Sequence, residues 1–484
     1  MPSLVDVLNE ARVAAQSVKD YVTGTGLRLG VTGLSRAGKT VFITSLVHNL
    51  TCGGRLPVFR VTAEKRLVHG ALQAQPDDGI PRFAYEDHLA ALTEDRRWPE
   101  STRRISELRL TLEYERKGQW RSGHGFLTLD IIDYPGEWLL DLPLLEKSYG
   151  QWSRETLDTS AAAARAPLAA AWRGGLQGLS PTQPASEDVA RAQAEHFTAY
   201  LRAARKDLYA LSTLPPGRFL MPGELEGSPA LTFAPLPAED GQRFPPGSLG
   251  AMMERRYEAY KALVVRPFFR DHFSRLDRQI VLVDALSALN SGPSAVRDLQ
   301  TALTDVMQSF RTGRSSLLST LFRPRIDRIL FAATKADHLH HTSHDRLEAI
   351  LRVLTSRAIA RAKDVGASID VIALAAVRAT REVAVAEGDA SLDAIVGTPL
   401  AGEELDGEIF DGLAEAAIFP GELPSDPRLA LRGDALATRE EDADYRFVRF
   451  RPPAAERGND GVALPLPHIR LDRALQFLLG DKMA

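Results

Sequence analysis

The sequence predicts an α/β protein in which helices sandwich a mostly parallel sheet, and three observations lead to this fold class. Apolar runs of strand length alternate with helical stretches, which is the pattern of a parallel sheet with covered faces. Apolar residues make up 44% and charged residues 25% of the 484 residues, enough for a large core. A glycine-rich loop joins the first strand to the first helix.

The first strand, loop and helix form a phosphate-binding unit. Residues 27–32 alternate as a strand does, residues 41–47 suit a helix, and residues 33–40 match G-x-x-x-x-G-K-[ST]. This arrangement lets backbone N–H groups converge on a polyphosphate, with Lys39 reaching the β and γ phosphates and the Thr40 hydroxyl ligating Mg²⁺. The predicted nucleotide-binding residues here are Gly33, Leu34, Ser35, Arg36, Ala37, Gly38, Lys39, Thr40 and Val41.

Further strands and helices follow along the chain. The strands are predicted at 105–113, 126–133, 279–284, 328–333 and 368–374. The helices are predicted at 4–22, 160–172, 190–211, 249–278 with a break near Pro267, 294–310 and 471–479. Residues 445–450 alternate like a strand, and eight prolines mark 215–246 as a loop or lid rather than a packed element.

These elements predict five segments. Residues 1–26 form an N-terminal helix, and residues 27–138 and 279–385 form the two halves of a nucleotide-binding domain. Residues 139–278 form a helical insertion that contains the proline-rich loop. Residues 386–484 form a C-terminal α+β segment packed on the nucleotide-binding domain.

The strand at 126–133 ends in a carboxylate that can serve the bound nucleotide. Asp133 opens the run Asp-Tyr-Pro-Gly-Glu, where an acidic group can hold Mg²⁺ and the N–H of Gly136 can meet the γ-phosphate. Loss of that phosphate would release the loop, as in nucleotide switches. Glu137 replaces the glutamine that often orients the attacking water, and its charge predicts slow hydrolysis. Asp284 also ends a strand and is interpreted as a structural or switch-packing residue.

A second motif predicts the base. Thr334, Lys335 and Asp337 follow a predicted strand and resemble the [NT]-K-x-D motif of GTPases. The carboxylate can accept hydrogen bonds from N1–H and the exocyclic amine of guanine, a donor pair that adenine lacks, and the lysine stem packs over the base. In that order, a backbone loop with Ala376 and Val377 would lie over the guanine oxygen.

A GTPase also needs a threonine that closes on Mg²⁺ and the γ-phosphate. Thr102, which precedes the second predicted strand, is assigned this role, with Ser101 as the next choice. An arginine could neutralise the charge that develops during hydrolysis. Arg36 in the loop, and Arg103 and Arg104 beside Thr102, are the candidates, with simple solvent exposure as the competing interpretation.

The order of these parts resembles the Ras-like GTPases, and nearly the whole chain resembles the YcjX-like family of bacterial P-loop proteins. The stretches that carry the resemblance are 33–40, 133–137, 218–223, 283–286, 334–337 and 467–471. The resemblance implies a Ras-like P-loop NTPase sheet with a large helical insertion, and a link to bacterial stress response. The ligands expected from the motifs are GTP or GDP and Mg²⁺.

Composition and charge exclude several other classes. A net charge of −4 gives no basis for a nucleic-acid partner, and the one cysteine, Cys52, excludes a disulfide framework and a cysteine-based zinc site. No apolar run approaches the ~20 residues of a membrane span, and the first residues lack a secretion signal, so we expect a cytoplasmic protein. Four histidines after the base motif are interpreted as an exposed helix start rather than a metal site: His338, His340, His341 and His344.

Partners other than the nucleotide are less defined. A protein effector is expected, of unknown identity. A basic run is interpreted as a solvated surface, with contact to an acidic membrane surface, peripheral to the inner membrane, or to a partner as the alternative. This run comprises Arg311, Arg314, Arg323, Arg325 and Arg328.

The leading hypothesis is a GTP-binding, slowly hydrolysing conformational switch. One alternative is an ATPase in which Asp284 is the metal carboxylate and the Thr334 to Asp337 motif is incidental. Another is a scaffold that binds nucleotide for stability and never cycles. Base preference, and the effect of Asp337→Asn on it, separates these hypotheses.

Overall fold

A computed structural model provides the structure. It describes residues 26–34, 36–75, 77–100, 104–117, 123–205, 215–239, 241–308, 326–364, 366–387, 390–431, 445, 447–456 and 464–484. Several predictions lie outside these residues. They are the helix at 4–22, Ser35, Ser101, Thr102, Arg103, and the basic positions Arg311, Arg314, Arg323 and Arg325.

The chain divides into two compact units. The sheet unit comprises the described residues of Met1–Pro135, Leu276–Asn290 and Arg325–Ala484. The helical unit comprises those of Gly136–Arg275 and Ser291–Pro324.

A seven-stranded sheet organises the sheet unit within the described residues. Its strands are β1 (Gly26–Gly33), β2 (Leu67–Gln73), β3 (Ser106–Glu115), β4 (His124–Asp133), β5 (Arg278–Val283), β6 (Arg328–Ala333) and β7 (Ser368–Ala373). The spatial order is β2-β3-β4-β1-β5-β6-β7. Strands β4, β1, β5, β6 and β7 pair in parallel, and β2 and β3 continue the sheet antiparallel. The predicted fold class, an α/β sheet flanked by helices, is confirmed.

The α-helices follow the same chain order. They are α1 (Lys39–Thr51), α2 (Arg60–Ala63), α3 (Tyr85–Thr93), α4 (Tyr149–Ser160), α5 (Ala166–Gly175), α6 (Glu187–Ala204), α7 (Leu249–Tyr260), α8 (Arg266–Asp271), α9 (Ala285–Asn290), α10 (Pro293–Gln308), α11 (His344–Leu354), α12 (Ser356–Asp364) and α13 (Leu471–Leu479). Within the described residues, none of the helices has both the length and the apolar character that crossing a membrane would need.

Alternation along the central strands places one face of the sheet against α1 and α13. Strand β1 contributes Leu27, Leu29 and Val31 to a shared apolar core, because residues two apart in a strand point to the same face. The same core receives Phe42, Ile43 and Leu46 from α1 and Leu471, Leu475 and Leu478 from α13. Burying each of these large apolar side chains stabilises the fold by roughly 1.5–3 kcal/mol. The loop between β1 and α1 is therefore attached at both ends to elements that are firmly packed in the core.

Smaller antiparallel sheets follow β7 in the chain. Strands β8 (Arg381–Glu387), β9 (Ala390–Gly397) and β12 (Ala416–Ile418) form one sheet, and β10 (Glu404–Leu405) pairs with β11 (Glu408–Ile409). The strand predicted at 445–450 is wrong for the described part of that range, Tyr445 and residues 447–450, where Phe450 makes an isolated bridge to Pro399 and no strand is formed. Val448 and Phe450 are instead buried against β9 and β12, and this packing produces the alternating pattern.

The predicted helix at 160–172 is also wrong in its extent. Helix α4 ends at Ser160 and α5 begins at Ala166, with a turn between them. Arg165 at the end of this turn is buried and forms an ion pair with Asp298 of α10. The turn thus carries a buried charged side chain together with its partner inside the helical unit.

The proline-rich stretch is packed, contrary to the prediction of a loose loop or lid. Phe219 and Phe233 are buried, and their rings lie 4.9 Å apart between centroids. Phe233 also contacts Trp152 of α4 and Tyr257 of α7 in edge-to-face geometry. The aromatic side chains between the prolines thus form part of the core of the helical unit.

A buried carboxylate joins three segments of the helical unit. Asp141 lies in a 3₁₀ helix at Gly136–Glu146 and accepts hydrogen bonds from the N–H of Gly217 at 2.7 Å and the hydroxyl of Tyr260 at 2.6 Å. Burial raises the pKa of Asp141 to about 6, against the opposing effect of these donors. After Tyr260 the helix widens into a π-helical turn at Lys261–Val265, and α8 follows with Pro267 in its first turn, where the sequence predicted a break.

Candidate functional site

Parallel strands bring the predicted site residues of the sheet unit to one edge. The carboxyl ends of β1, β4, β5, β6 and β7 meet there because these strands run in the same direction. The sequence singled out a residue or segment at each of these ends: the glycine-rich loop after β1, Asp133 as the last residue of β4, Asp284 after β5, the Thr334 to Asp337 motif after β6, and the loop with Ala376 and Val377 after β7. Ligands bind at this edge in open α/β sheets.

The glycine-rich loop is held tightly against the sheet. A side chain at Gly33 would place its Cβ 2.7 Å from the carbonyl oxygen of Leu282, so the backbone approaches β5 closely. Gly38 has φ of 83°, a left-handed conformation that glycine adopts freely, and α1 begins at the next residue. The first turn of α1 carries no acidic residue, which suits an anion at its N-terminus.

The side chains of the loop are arranged around its backbone. Lys39 is buried, and its Nζ donates a hydrogen bond to the carbonyl oxygen of Gly33 at 2.9 Å. Arg36 is exposed and has φ of 65°. The Thr40 hydroxyl lies 3.5 Å from the carbonyl oxygen of Glu100, which approaches from the segment before β3.

A cavity of about 420 Å³ connects the loop to the base motif. This volume is within the range of small-molecule sites, roughly 300–1,000 Å³. Among the residues that line the cavity are the predicted site residues Arg36, Ala37, Gly38, Lys39, Thr40, Val41, Thr334, Lys335, Asp337, Ala376 and Val377. Two motifs almost 300 residues apart in the chain therefore face one space.

The donors predicted for Mg²⁺ are oxygen groups at the ends of adjacent elements. Asp133 is only 1% exposed and is aligned with Val31 of the neighbouring β1, two residues before the glycine-rich loop begins. Thr40 is the second residue of α1, on the other side of that loop. A hydroxyl and a carboxylate are the hard ligands that Mg²⁺ prefers, so these residues fit the ion.

The base motif is fixed by hydrogen bonds to the segment that follows β7. Asp337 is 4% exposed, and its Oδ2 accepts the N–H of Ala379 at 2.9 Å. The hydroxyl of Thr380 donates to the backbone oxygen of Asp337. The N–H of Ala336 donates to the carbonyl oxygen of Leu374 at 3.1 Å. The carboxylate is therefore held in one orientation at the cavity.

Lys335 and Asp284 form an ion pair at the same end of the cavity. The Nζ of Lys335 donates to Oδ2 of Asp284, while Oδ1 of Asp284 accepts the N–H of Ser287 in the first turn of α9. Lys335 has φ of 61°, so its backbone is left-handed at the turn after β6. Asp284 thus caps a helix and orients the lysine of the base motif.

The loop that contains Ala376 and Val377 is held from two sides. The Ser45 hydroxyl of α1 donates to the carbonyl oxygen of Ala376. Ala375 and Ile469 exchange backbone hydrogen bonds at 3.1 and 2.8 Å, which ties the loop to the C-terminal segment. The loop thus has a fixed backbone, as a contact to a base oxygen would require.

Several lining residues were missed by sequence reasoning. They are Phe42, Trp98, Pro99, Glu100, His338, Leu374, Ala375, Leu400, Arg449 and Phe450. Trp98 donates its Nε1–H to the carbonyl oxygen of Phe450 at 2.6 Å, and the Phe450 ring packs edge-on against His338. Burial lowers the pKa of His338. A bulky tryptophan before a polar segment was the available clue for this group, whereas nothing in the sequence connects Phe450 to the base motif.

Glu137 belongs to the helical unit and has a partner that the sequence did not reveal. It is 1% exposed, and its Oε1 accepts a hydrogen bond from Nη1 of Arg205 at 2.7 Å. Gly136 precedes it at the start of the 3₁₀ helix. The negative charge of Glu137 is therefore balanced within its own unit.

The similarity of the chain to known proteins identifies its family. The profile of the YcjX-like family, DUF463, matches residues 27–483. The chain belongs to the YcjX-like family. It is 40% identical to a protein of Escherichia coli K12 named "Ras-like GTPase YcjX" over 470 residues, covering 94% of this chain and 96% of the relative. It is 37% identical to a protein of Shewanella oneidensis with the same name, covering 99% of both chains. The resemblance seen in the motifs is thereby confirmed.

Proposed function

We propose that the chain binds guanine nucleotide with Mg²⁺, hydrolyses GTP slowly and acts as a nucleotide-dependent conformational switch. One observation carries this proposal: a single cavity of the sheet unit is lined by the glycine-rich loop and by the Thr334 to Asp337 motif. The names of the two relatives, both Ras-like GTPases, support it.

The phosphates occupy the loop end of the cavity. N–H groups of the loop and the N-terminus of α1 bind them, and Lys39 exchanges its contact with the Gly33 carbonyl for the β and γ phosphates. Thr40 and Asp133 hold Mg²⁺, which supplies charge neutralisation at the phosphates. Thr102 remains the predicted third ligand.

The base occupies the other end. The Asp337 carboxylate accepts N1–H and the exocyclic amine of guanine, while its bond to the Ala379 N–H keeps it in place. Lys335, oriented by Asp284, covers the base face. Backbone N–H groups near Ala376 and Val377 meet the guanine oxygen.

Hydrolysis is slow because Glu137 is a poor substitute for a water-orienting glutamine. Its carboxylate is bound to Arg205, so orienting a water would require that ion pair to rearrange. Without an activating protein, we expect turnover below about 10⁻⁴ s⁻¹, because an unassisted small GTPase that does carry the glutamine turns over at only a few times that rate. Arg36 remains the candidate for charge neutralisation from within the loop.

The ATPase alternative requires Asp284 to be the metal carboxylate. The ion pair of Asp284 with Lys335 and its capping of α9 argue against that role. The predicted protein effector, stress-response link, cytoplasmic location and membrane contact stay predictions of the sequence.

Calorimetric titration of the nucleotide-free chain tests the proposal. GDP with Mg²⁺ is expected to bind, and ATP with Mg²⁺ is expected to give no heat of binding. Lys39→Ala is expected to abolish GDP binding. Lys117→Ala is the matched control, because Lys117 is an exposed lysine of the sheet unit paired with Glu64. ATP binding equal to or tighter than GDP binding would overturn the guanine assignment.

A difference between the GDP-bound and GTP-analogue-bound states tests the switch. Hydrogen exchange over residues 133–146, which include Asp133 and the 3₁₀ helix, is expected to slow with the triphosphate analogue. Identical exchange in the two states, together with no measurable turnover, would favour the scaffold alternative.

A further inference from the structure

Two histidines and a glutamate meet close to the base motif in the sheet unit. The candidate ligand atoms of His340, His341 and Glu382 lie within 4.8 Å of one another. Nδ1 of His341 is 2.7 Å from Oε2 of Glu382, and Nε2 of His340 is 3.8 Å from the same oxygen. His340 and His341 follow the base motif in the chain, whereas Glu382 lies on β8.

The second ring nitrogen of His340 has orienting partners. Its Nδ1 lies 3.3 Å from Oδ2 of Asp393 and 3.0 Å from the Thr342 hydroxyl, which itself donates to Asp393. Histidines that ligate metals usually donate their other N–H to a carboxylate or carbonyl. This geometry favours the tautomer in which the Nε2 lone pair of His340 is turned toward Glu382.

The other two histidines of this stretch have different roles. His338 is buried beside Phe450, and the Nε2 of His344, also buried, contacts the carbonyl oxygen of Ala336 at 2.9 Å. The prediction that all four histidines form an exposed helix start is therefore wrong for these two. The remaining pair, His340 and His341, faces Glu382.

We propose that His340, His341 and Glu382 bind one divalent transition-metal ion of the Zn²⁺ type, with Asp393 orienting His340. Two imidazoles and one carboxylate suit Zn²⁺, Co²⁺ or Ni²⁺, and leave a fourth position for water. This donor set differs from the oxygen donors Thr40 and Asp133 predicted for Mg²⁺. Oε1 of Glu382 keeps its own partner, Nη2 of Arg378 at 3.3 Å, so Oε2 is the oxygen directed at the histidines.

The ion would link the two segments that hold Asp337. His340 lies three residues after Asp337, and Glu382 lies three residues after Ala379, whose N–H binds the Asp337 carboxylate. Metal binding would therefore restrain the base-reading carboxylate. This consequence for nucleotide affinity rests on the function proposed above, whereas metal binding itself does not.

Co²⁺ and Zn²⁺ titrations of the tag-free, full-length, chelator-treated chain test the site. One Co²⁺ per chain is expected to bind, with the visible absorption of a site containing imidazole ligands. His341→Ala and Glu382→Gln are expected to weaken binding at least tenfold, and Asp393→Asn by on the order of 10-fold through loss of the orienting contact. His341 is mostly exposed, so its replacement leaves the fold intact, which circular dichroism checks.

Two control variants make the result specific. His124→Ala removes a lone His–Glu pair, in which Nδ1 of His124 is 2.5 Å from Oε1 of Glu113, and is expected to leave Co²⁺ binding unchanged. Asp133→Asn removes the predicted Mg²⁺ ligand and is also expected to leave Co²⁺ binding by the histidines unchanged. No Co²⁺ absorption in the wild-type chain, or equal losses in His341→Ala and His124→Ala, would overturn the site.

GDP titration with and without Zn²⁺ separates the two proposals. Zn²⁺ is expected to raise the GDP affinity of the wild-type chain but not of His341→Ala. If the GDP affinity of the wild-type chain is the same with and without Zn²⁺, the proposed effect of the metal on Asp337 is overturned. A chain that binds Co²⁺ through His341 but never GDP supports the metal site and overturns the proposed guanine function.

Discussion

The Asp337 carboxylate and the backbone N–H of Ala379 form a hydrogen bond of 2.9 Å, which joins the turn after β6 to the segment after β7. The carboxylate is almost completely buried yet lines the cavity. A side chain held in this way can discriminate between bases, because its acceptor atoms cannot rotate to suit a different donor pattern.

Asp337→Asn tests this base recognition. The new amide oxygen can still accept the Ala379 N–H, so the fold should survive, but its NH₂ group would face the guanine donors. We expect a loss of about 3 kcal/mol in GDP binding, roughly a hundredfold in Kd, measured by calorimetry. Asp345→Asn is the control, since the Asp345 side chain is exposed and its carboxylate pairs with Arg470 at 3.0 Å. A GDP affinity unchanged in Asp337→Asn would contradict the assignment.

Two carboxylates at strand ends should behave differently when neutralised. Asp133→Asn is expected to abolish Mg²⁺-dependent GTP hydrolysis, since it removes the charged ligand. Asp284→Asn keeps the cap on α9 and loses only a partly exposed ion pair with Lys335, so GDP affinity should fall by about 1 kcal/mol, roughly fivefold. Turnover and GDP binding of both variants check this. If Asp284→Asn abolished hydrolysis and Asp133→Asn did not, the result would support the ATPase alternative.

Glu107 should make stability depend on pH. Burial raises its pKa from 4.5 to about 7, although Arg28, with Nη2 at 3.4 Å, opposes the shift. Between these two pKa values the folded chain binds more protons than the unfolded chain, so this contribution to stability is full below 4.5 and is lost as the pH rises through 7. Glu107→Gln mimics the neutral form at every pH. The free energy of unfolding of this variant, minus that of the wild type, should therefore be roughly 1–3 kcal/mol larger at pH 8 than at pH 5.

Urea unfolding of both proteins at the two pH values measures this difference. Buried histidines such as His48 and His344 have lowered pKa values through burial and destabilise the fold at low pH. Their contribution is common to both proteins and cancels in the comparison. Equal pH dependence of the wild type and Glu107→Gln would show that Glu107 is ionised in the folded chain across this range.

Gly217 should tolerate no side chain. A Cβ there would lie 2.1 Å from the carbonyl oxygen of Glu137, and the Gly217 N–H holds Asp141. Gly217→Ala is expected to destabilise the helical unit by about 3 kcal/mol, seen as a lower midpoint in urea. Gly174→Ala in α5 meets nothing within 4 Å and should be neutral or slightly stabilising. Similar midpoints for the two variants would contradict the close contact.

The sheet could be predicted because its parallel strands are continuous apolar runs. β6 matches its predicted range, and β1, β4 and β5 agree within two residues. β2 was missed, since this edge strand carries exposed and half-buried residues, including His69, and pairs on one side only. In the region from β8 to β12, strands β10, β11 and β12 are only two or three residues long, and β8 and β9 were missed because their pairing depends on packing rather than on a continuous apolar run.

The sequence by itself determined the order of the loop, the carboxylate and the base motif, because each depends on residues that are close together in the chain. Only the tertiary structure decided which distant groups they meet: Ala379 beside Asp337, Asp284 beside Lys335, Arg205 beside Glu137, and Glu382 beside two histidines. The physical reason is that such contacts depend on sheet register and loop packing, which a local pattern of residues does not encode.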